Sequence, residues 1–238
     1  VRVGGRTDIG SRWENDDHLL IDSDLGLFGV LDAGGSWAEN GGRASRVGAE
    51  VICRVVGEGI TTCVEPRTLI ERAFRIAGDA LRADTDENGW WPSSSVVVAL
   101  LHAGRVHVFW LGDSMAYRIT GGQIEPLTRA HTIRNELIRQ GRTSEAEQFT
   151  GRAGAILVHV LGPDTLPDPF QVISFTPQPG DRLILTTNGI HDVVPPAEFP
   201  LVCLADPDPQ RCADQLVQLA LDRGSRDNCT CVVVTFEE

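Results

Sequence analysis

Residues 95–127 hold four short apolar, β-rich runs in close succession: 95–101, 106–111, 116–119 and 123–127, broken by Ala-Gly-Arg and by Gly-Gly. The pattern reads as an antiparallel meander. Further strands are predicted at 1–7, 19–21 and 25–30, the last two joined by a turn at Ser23-Asp24. Others follow at 171–175, 182–187 and 229–236, with a tight turn at Gln178-Pro179-Gly180-Asp181. Helical spacing appears at 41–56 (Val47, Val51, Ile52, Val55), 66–83 (Leu69, Ala73, Ile76, Leu81), 133–140 and 208–223. Strands in runs and helices in pairs predict α+β layers rather than a doubly wound parallel sheet.

Composition narrows the function classes. Asp+Glu number 33 against 21 Lys+Arg, every one an Arg, for a net charge of −12. A duplex nucleic-acid binder needs a basic stripe, and none is present in the sequence. An anionic membrane surface would repel such a chain on average. No apolar run approaches the roughly 20 residues of a membrane span. With 42% apolar and 23% charged residues the chain reads as globular. No repeat, low-complexity tract or linker divides it, so residues 1–238 are expected to form a single domain. The first residues have no signal-peptide core, and residue 1 is Val rather than Met, consistent with a trimmed chain or a piece of a longer one. The cysteines Cys53, Cys63, Cys203, Cys212, Cys229 and Cys231 contain no Cys-x-x-Cys pair, which argues against zinc. Most read as small core hydrophobes in a reducing, cytoplasmic setting. A periplasmic protein with one or two disulfides is the alternative.

Acidic residues recur at predicted strand ends. Asp16-Asp17 precede 19–21; Asp32 opens the turn Ala33-Gly34-Gly35; Asp113 follows Gly112 at the end of 106–111; Asp227 precedes the last strand. Asn188 ends another strand in the same way. Any one of them is an ordinary turn former. Five in one setting can converge at a sheet edge as an oxygen cluster suited to Mg²⁺ or Mn²⁺.

Six blocks in order then carry a resemblance: Arg12-Trp13-Glu14-Asn15-Asp16-Asp17; Phe28-Gly29-Val30-Leu31-Asp32; Leu111-Gly112-Asp113-Ser114; Leu127-Thr128-Arg129-Ala130-His131-Thr132; Asn188-Gly189-Ile190-His191-Asp192; and Asp227-Asn228-Cys229-Thr230. Over nearly its whole length the sequence resembles the metal-dependent protein phosphatases of type 2C, in their bacterial form. The resemblance implies a β-sandwich of two mostly antiparallel sheets flanked by paired α-helices, four layers α-β-β-α. It implies two Mn²⁺ or Mg²⁺ ions and a weaker third. By resemblance Asp32 bridges the two ions, Asp227 and Asn188 complete the first, and Asp16 with the carbonyl of Ala33 completes the second. Asp113 would help to hold the third, and Arg12 would bind the substrate phosphate. A metal-bridging water attacks phosphorus in such sites, and Arg can grip phosphate oxygens bidentately. The implied activity is hydrolysis of phosphoserine and phosphothreonine in proteins phosphorylated by a Ser/Thr kinase, by a monomer without nucleic-acid partners or a membrane span.

Departures from the family pattern gather at the site. Asn188 replaces an Asp and loses an anionic ligand. Ala33 replaces a Gly, which costs strain if positive φ is needed there. Trp37 falls where the family often has His, Asp16 replaces a Glu, and Ser93, Met115 and Ala130 replace Gly, Arg and Asp. A second reading is therefore a degenerate, non-catalytic phosphoprotein-binding module; a third is a small-molecule phosphohydrolase. Asn228 is expected to brace the Asp227 loop and Asp192 to cap a turn. Residues 133–162 match the family's variable flap and carry a modest basic patch, Arg134, Arg139, Arg142 and Arg152, or else a solvated helix face. Trp90-Trp91 is either an exposed contact or core.

Overall fold

The computed structural model describes residues 1–34, 41–62, 65–85, 89, 91–162, 166–167 and 169–237. The expectations for Gly35, Trp37, Cys63 and Trp90 lie outside the described residues. The chain opens with β1 (Arg2–Asp8), β2 (Asp17–Asp22) and β3 (Leu27–Gly34), followed by α1 (Gly41–Gly59) and α2 (Pro66–Arg82). Next come β4 (Ser93–His102), β5 (Arg105–Leu111), β6 (Met115–Thr120) and β7 (Gln123–Pro126). Three short helices occupy the flap: α3 (Ile133–Arg139), α4 (Thr143–Ala146) and α5 (Gly151–Gly154). Then follow β8 (Ile173–Phe175), β9 (Arg182–Thr186), α6 (Asn188–His191), α7 (Phe199–Cys203), α8 (Pro209–Asp222) and β10 (Cys229–Thr235).

Two five-stranded antiparallel sheets result, in the orders β1-β10-β9-β6-β7 and β2-β3-β4-β5-β8. The alternation of side chains along each strand divides the core into three layers. In β4, Val96, Val98 and Leu100 pack with Leu69, Ala73 and Phe74 of α2 and Ile52 of α1. Val97 and Ala99 point the other way, into the space between the sheets, with Val108, Leu183, Leu185 and Val232. In β10, Cys229, Cys231 and Val233 pack under Leu216 and Val217 of α8. Strands covered on both faces explain why these segments read as continuous apolar runs. Helices α1 and α2 cap one sheet, and α6, α7 and α8 cap the other, which gives the four-layer α+β sandwich.

Three expectations are corrected. The 95–127 segment is no meander: β4 and β5 pair with each other, as do β6 and β7, but β5 and β6 belong to different sheets. The chain crosses the sandwich at 112–114. Local patterning shows where strands lie but carries no term for which sheet each hairpin joins. Second, Cys203 and Cys212 are joined in a disulfide between α7 and α8, while Cys53, Cys229 and Cys231 are free. Residues nine apart with no Cys-x-x-Cys signature offer no sequence cue to that pairing. Third, two of the four arginines of the flap patch are neutralised by neighbouring glutamates. Arg139 pairs with Glu136 at 2.5 Å and Arg142 with Glu145 at 2.5 Å, each within one helical turn. Trp91 is partly exposed rather than core. Among the described residues no helix is long and apolar enough to cross a membrane.

Candidate active site

The β1–β2 loop, the end of β3, the crossing between β5 and β6, the start of α6 and the turn into β10 all meet at one end of the sandwich. There they enclose a cavity of about 390 Å³. Its lining includes every site residue that the sequence predicts: Arg12, Asp16, Asp32, Ala33, Asp113, Asn188 and Asp227. Trp13, Glu14, Ser95, Leu157 and Val160 complete much of the rest. The convergence that periodicity alone could not establish is therefore met.

Strand register supplies one further carboxylate. The β2/β3 ladder sets Asp17 directly opposite Asp32, close enough for strong repulsion when both are charged. Thr187 Oγ1 donates to Asp17 Oδ2 at 2.8 Å and accepts from the backbone N–H of Thr230 at 3.1 Å. Burial still pushes the Asp17 carboxyl up to about 7, with repulsion from Asp227 and Asp16 adding to it and the Thr230 and Thr187 hydroxyls opposing it. Asp32 is raised well above the ordinary carboxylate range, first by burial and then by repulsion from Asp17, Asp113, Asp227 and Asp16. Asp113 is raised by burial against a hydrogen bond from Ser95. Asp16 is raised by burial and by Glu14. The sequence pattern does not single out Asp17; the Asp16-Asp17 doublet at a strand start was its one signal. Nothing in the sequence marks Ser95 or Thr187.

Two distant segments interlock around one wall of the cavity. Asn228 donates from Nδ2 to the carbonyls of Ile9 (2.9 Å) and Glu14 (3.0 Å), and its Oδ1 accepts from the Asp16 N–H (2.9 Å). Its brace thus reaches beyond the Asp227 turn and holds the whole 9–16 loop. Gly10 in that loop has φ +59°, and a Cβ there would overlap the carbonyl oxygen of Asp227, so only glycine fits. The loop carries Arg12 over the cavity, where its Nη2 lies 2.8 Å from Asp227 Oδ2. Arg12 and Asp227, both partly solvated, neutralise each other there; such a pair is individually weak and readily exchanged for another anion.

The sheet crossing also shapes the site. Gly112 has φ +88°, and a Cβ would stand 2.6 Å from Ser95 Cβ. Its absence lets β4 and the crossing pack together, with Ser95 Oγ bonded to Ser114 Oγ and accepting from the Ser114 N–H at 2.9 Å. Asp113, between Gly112 and Ser114, lines the cavity. Ala33 departs from expectation. It continues β3, paired with Ser94 of β4, and is not among the positive-φ residues, so no strain attaches to the missing glycine. Its N–H donates to the Asp16 carbonyl at 3.2 Å.

The donor set fits hard divalent cations. It consists of carboxylate, amide and carbonyl oxygens, the ligands Mg²⁺ and Mn²⁺ prefer. Two buried oxygens, Asp16 Oδ1 and Asn188 Oδ1, have no hydrogen-bond partner, a costly state for polar atoms. Among the described residues no three His, Cys, Asp or Glu side chains are gathered into a ready-made cage for an ion; the oxygens are spread around the cavity instead. Their mutual repulsion makes a testable prediction. A carboxyl raised in the folded state holds its proton after the unfolded chain has lost it, so its ionisation destabilises the fold as pH rises. Asp32→Asn removes that cost. In metal-free protein the variant is expected to unfold at a higher temperature than the parent, by little at pH 5 and by roughly 5 °C or more at pH 8. Comparing the two proteins cancels the opposing contribution of His131 and His191, both lowered to about 4 by burial. Scanning calorimetry in a chelator checks it; a stability difference that does not grow with pH would contradict the assignment.

Comparison with known proteins bears directly on this arrangement. The family model described as protein phosphatase 2C matches residues 5–217. A serine/threonine phosphatase, Stp of Listeria innocua, is 25% identical over 95% of this chain and 88% of its own length. PppA, described as a key regulatory component of the type VI secretion system in Pseudomonas aeruginosa, superposes with a TM-score of 0.82 at 23% identity, covering 99% of this chain and 97% of that one. The catalytic domain of the phosphatase PstP, solved with two manganese ions, superposes at 0.79 with 21% identity over 100% and 98% of the two chains. The last two likenesses establish the fold; with the family match covering residues 5–217, most of the chain, the chain belongs to the protein phosphatase 2C family.

Proposed function

We propose that this chain is a divalent-cation-dependent serine/threonine protein phosphatase, with Arg12 as the phosphate-binding group and Asp16, Asp32, Asp113, Asn188, Asp227 and the carbonyl of Ala33 as the metal-holding set. One observation carries the reading: a single cavity brings together an oxygen-only donor set with two orphaned buried oxygens and one partly exposed guanidinium. The cations, when bound, supply charge neutralisation and a water acidic enough to attack phosphorus at neutral pH. Arg12, exchanging Asp227 for substrate oxygens, orients the phosphoryl group. Asn228 keeps Arg12 and Asp16 in register with each other. Two ions are the proposed complement, with Asp113 at the edge for a weaker third.

The non-catalytic reading is not favoured. Ala33 is unstrained, and Asn188 keeps an oxygen available at the cavity. By this reading the partners are proteins phosphorylated by a Ser/Thr kinase, and the enzyme is a cytoplasmic monomer. The three thiols that are free among the described residues suit a reducing compartment, and the Cys203–Cys212 bond is fully buried, out of reach of soluble thiols. The test is hydrolysis of p-nitrophenyl phosphate and of a phosphothreonine peptide with about 1–5 mM Mn²⁺, a dose for a weak site. Both are expected to turn over and to stop in chelator. No Mn²⁺-dependent rate on either would overturn the proposal. Preference for a phosphosugar over the peptide would favour the small-molecule reading.

A further inference from the structure

Trp13 has no use inside the molecule. Its relative accessibility is 102%, and among the described residues no large apolar side chain is more exposed. Burying an aromatic ring is among the larger gains available to any side chain, so an isolated, fully solvated Trp is unusual. Its position is not incidental. It follows Arg12 directly in the chain, and both line the same cavity. The backbone that carries it is held on both sides. Asn228 grips the backbone at Ile9 and at Glu14, on either side of the Arg12-Trp13 pair, and Gly10 is wedged against Asp227. The ring is therefore presented from a clamped backbone, which lowers the cost of ordering the loop on recognition.

Leu157 and Val160, from the flap, also line the cavity and add apolar surface to it. At about 390 Å³ the cavity lies in the range that admits an organic side chain and not a phosphoryl group alone. Apolar surface beside an oxygen-lined, cation-seeking floor suits a ligand with one anionic group and one neighbouring apolar group.

We infer that Trp13 is a specificity-determining residue which docks an aromatic or large aliphatic side chain flanking the phosphorylated residue of a substrate protein. The inference rests on the phosphatase reading and narrows its substrate class. Arg12 takes the phosphoryl oxygens; the indole, one residue away, covers the flanking side chain, with Leu157 and Val160 offering further apolar contact. Exposed as it is, Trp13 can be changed without touching the core.

The experiment compares phosphothreonine peptides that differ only in carrying Phe or Ala within two residues of the phosphothreonine, on either side, with Mn²⁺ present. The parent is expected to favour a Phe peptide by on the order of tenfold in kcat/KM, the effect of burying one ring against another. In Trp13→Ala the ratio should fall close to one, through a higher KM at little-changed kcat, as loss of uniform binding requires. Trp13→Phe should retain most of the preference. A parent without preference, or a preference that survives Trp13→Ala, would overturn the inference and leave the phosphatase reading standing. Hydrolysis of none of the peptides would overturn both.

Discussion

Asp32→Asn is expected to lower Mn²⁺-dependent hydrolysis of p-nitrophenyl phosphate by about a thousandfold or more in kcat/KM, a loss of roughly 4 kcal/mol of transition-state stabilisation. Burial raises Asp32, and four other aspartates bear on its charge. By the family resemblance it would be the group shared by both cations, so its loss would weaken both rather than one. The same substitution is expected to stabilise the metal-free fold at pH 8. Lost activity combined with gained stability separates a catalytic role from a structural one. A variant that is inactive and also less stable in chelator would point to Asp32 as a structural residue; retained activity would remove it from the site.

Asn188→Asp is expected to act in the opposite sense. It places a charge where Asn188 Oδ1 is now buried without a partner. Affinity for hard cations rises with the number of anionic ligands, so the Mn²⁺ dissociation constant is expected to fall at least about tenfold. Titration calorimetry reads this directly, and the number of ions bound distinguishes one site from two. Without metal the added carboxylate joins an already repulsive cluster and is expected to lower the unfolding temperature at neutral pH. Unchanged Mn²⁺ affinity would show that Asn188 is not a ligand.

Much of this site can be read from the chain because strand ends are locally marked. Asp16, Asp32, Asp113, Asn188 and Asp227 each sit near a boundary between an apolar run and small or polar residues, before the run or after it, and that boundary is visible without knowing the fold. Helices α1, α2 and α8 were equally legible, since their apolar faces repeat at helical spacing and α2 and α8 start on Pro behind a capping carboxylate. The sheet assignment of β5 and β6 was not legible. Both sheets impose the same two-residue alternation, and the crossing at Gly112 looks like any other glycine turn. Asp17 was hidden for a related reason. Its significance is its place across from Asp32 on the neighbouring strand, a relation between ladders.

Residue order thus settled the kinds of element, their sequence and the oxygen chemistry available at their ends, because propensity, periodicity and turn chemistry act over a few residues. Three things needed the folded chain: the meeting of those strand ends around one cavity, the unstrained backbone of Ala33, and the clamp by which Asn228 holds Arg12 and Trp13 over it. All are long-range. Asn228 lies 212 residues from Asp16, whose N–H it binds, and only the stacking of two sheets brings such residues within a hydrogen bond's length.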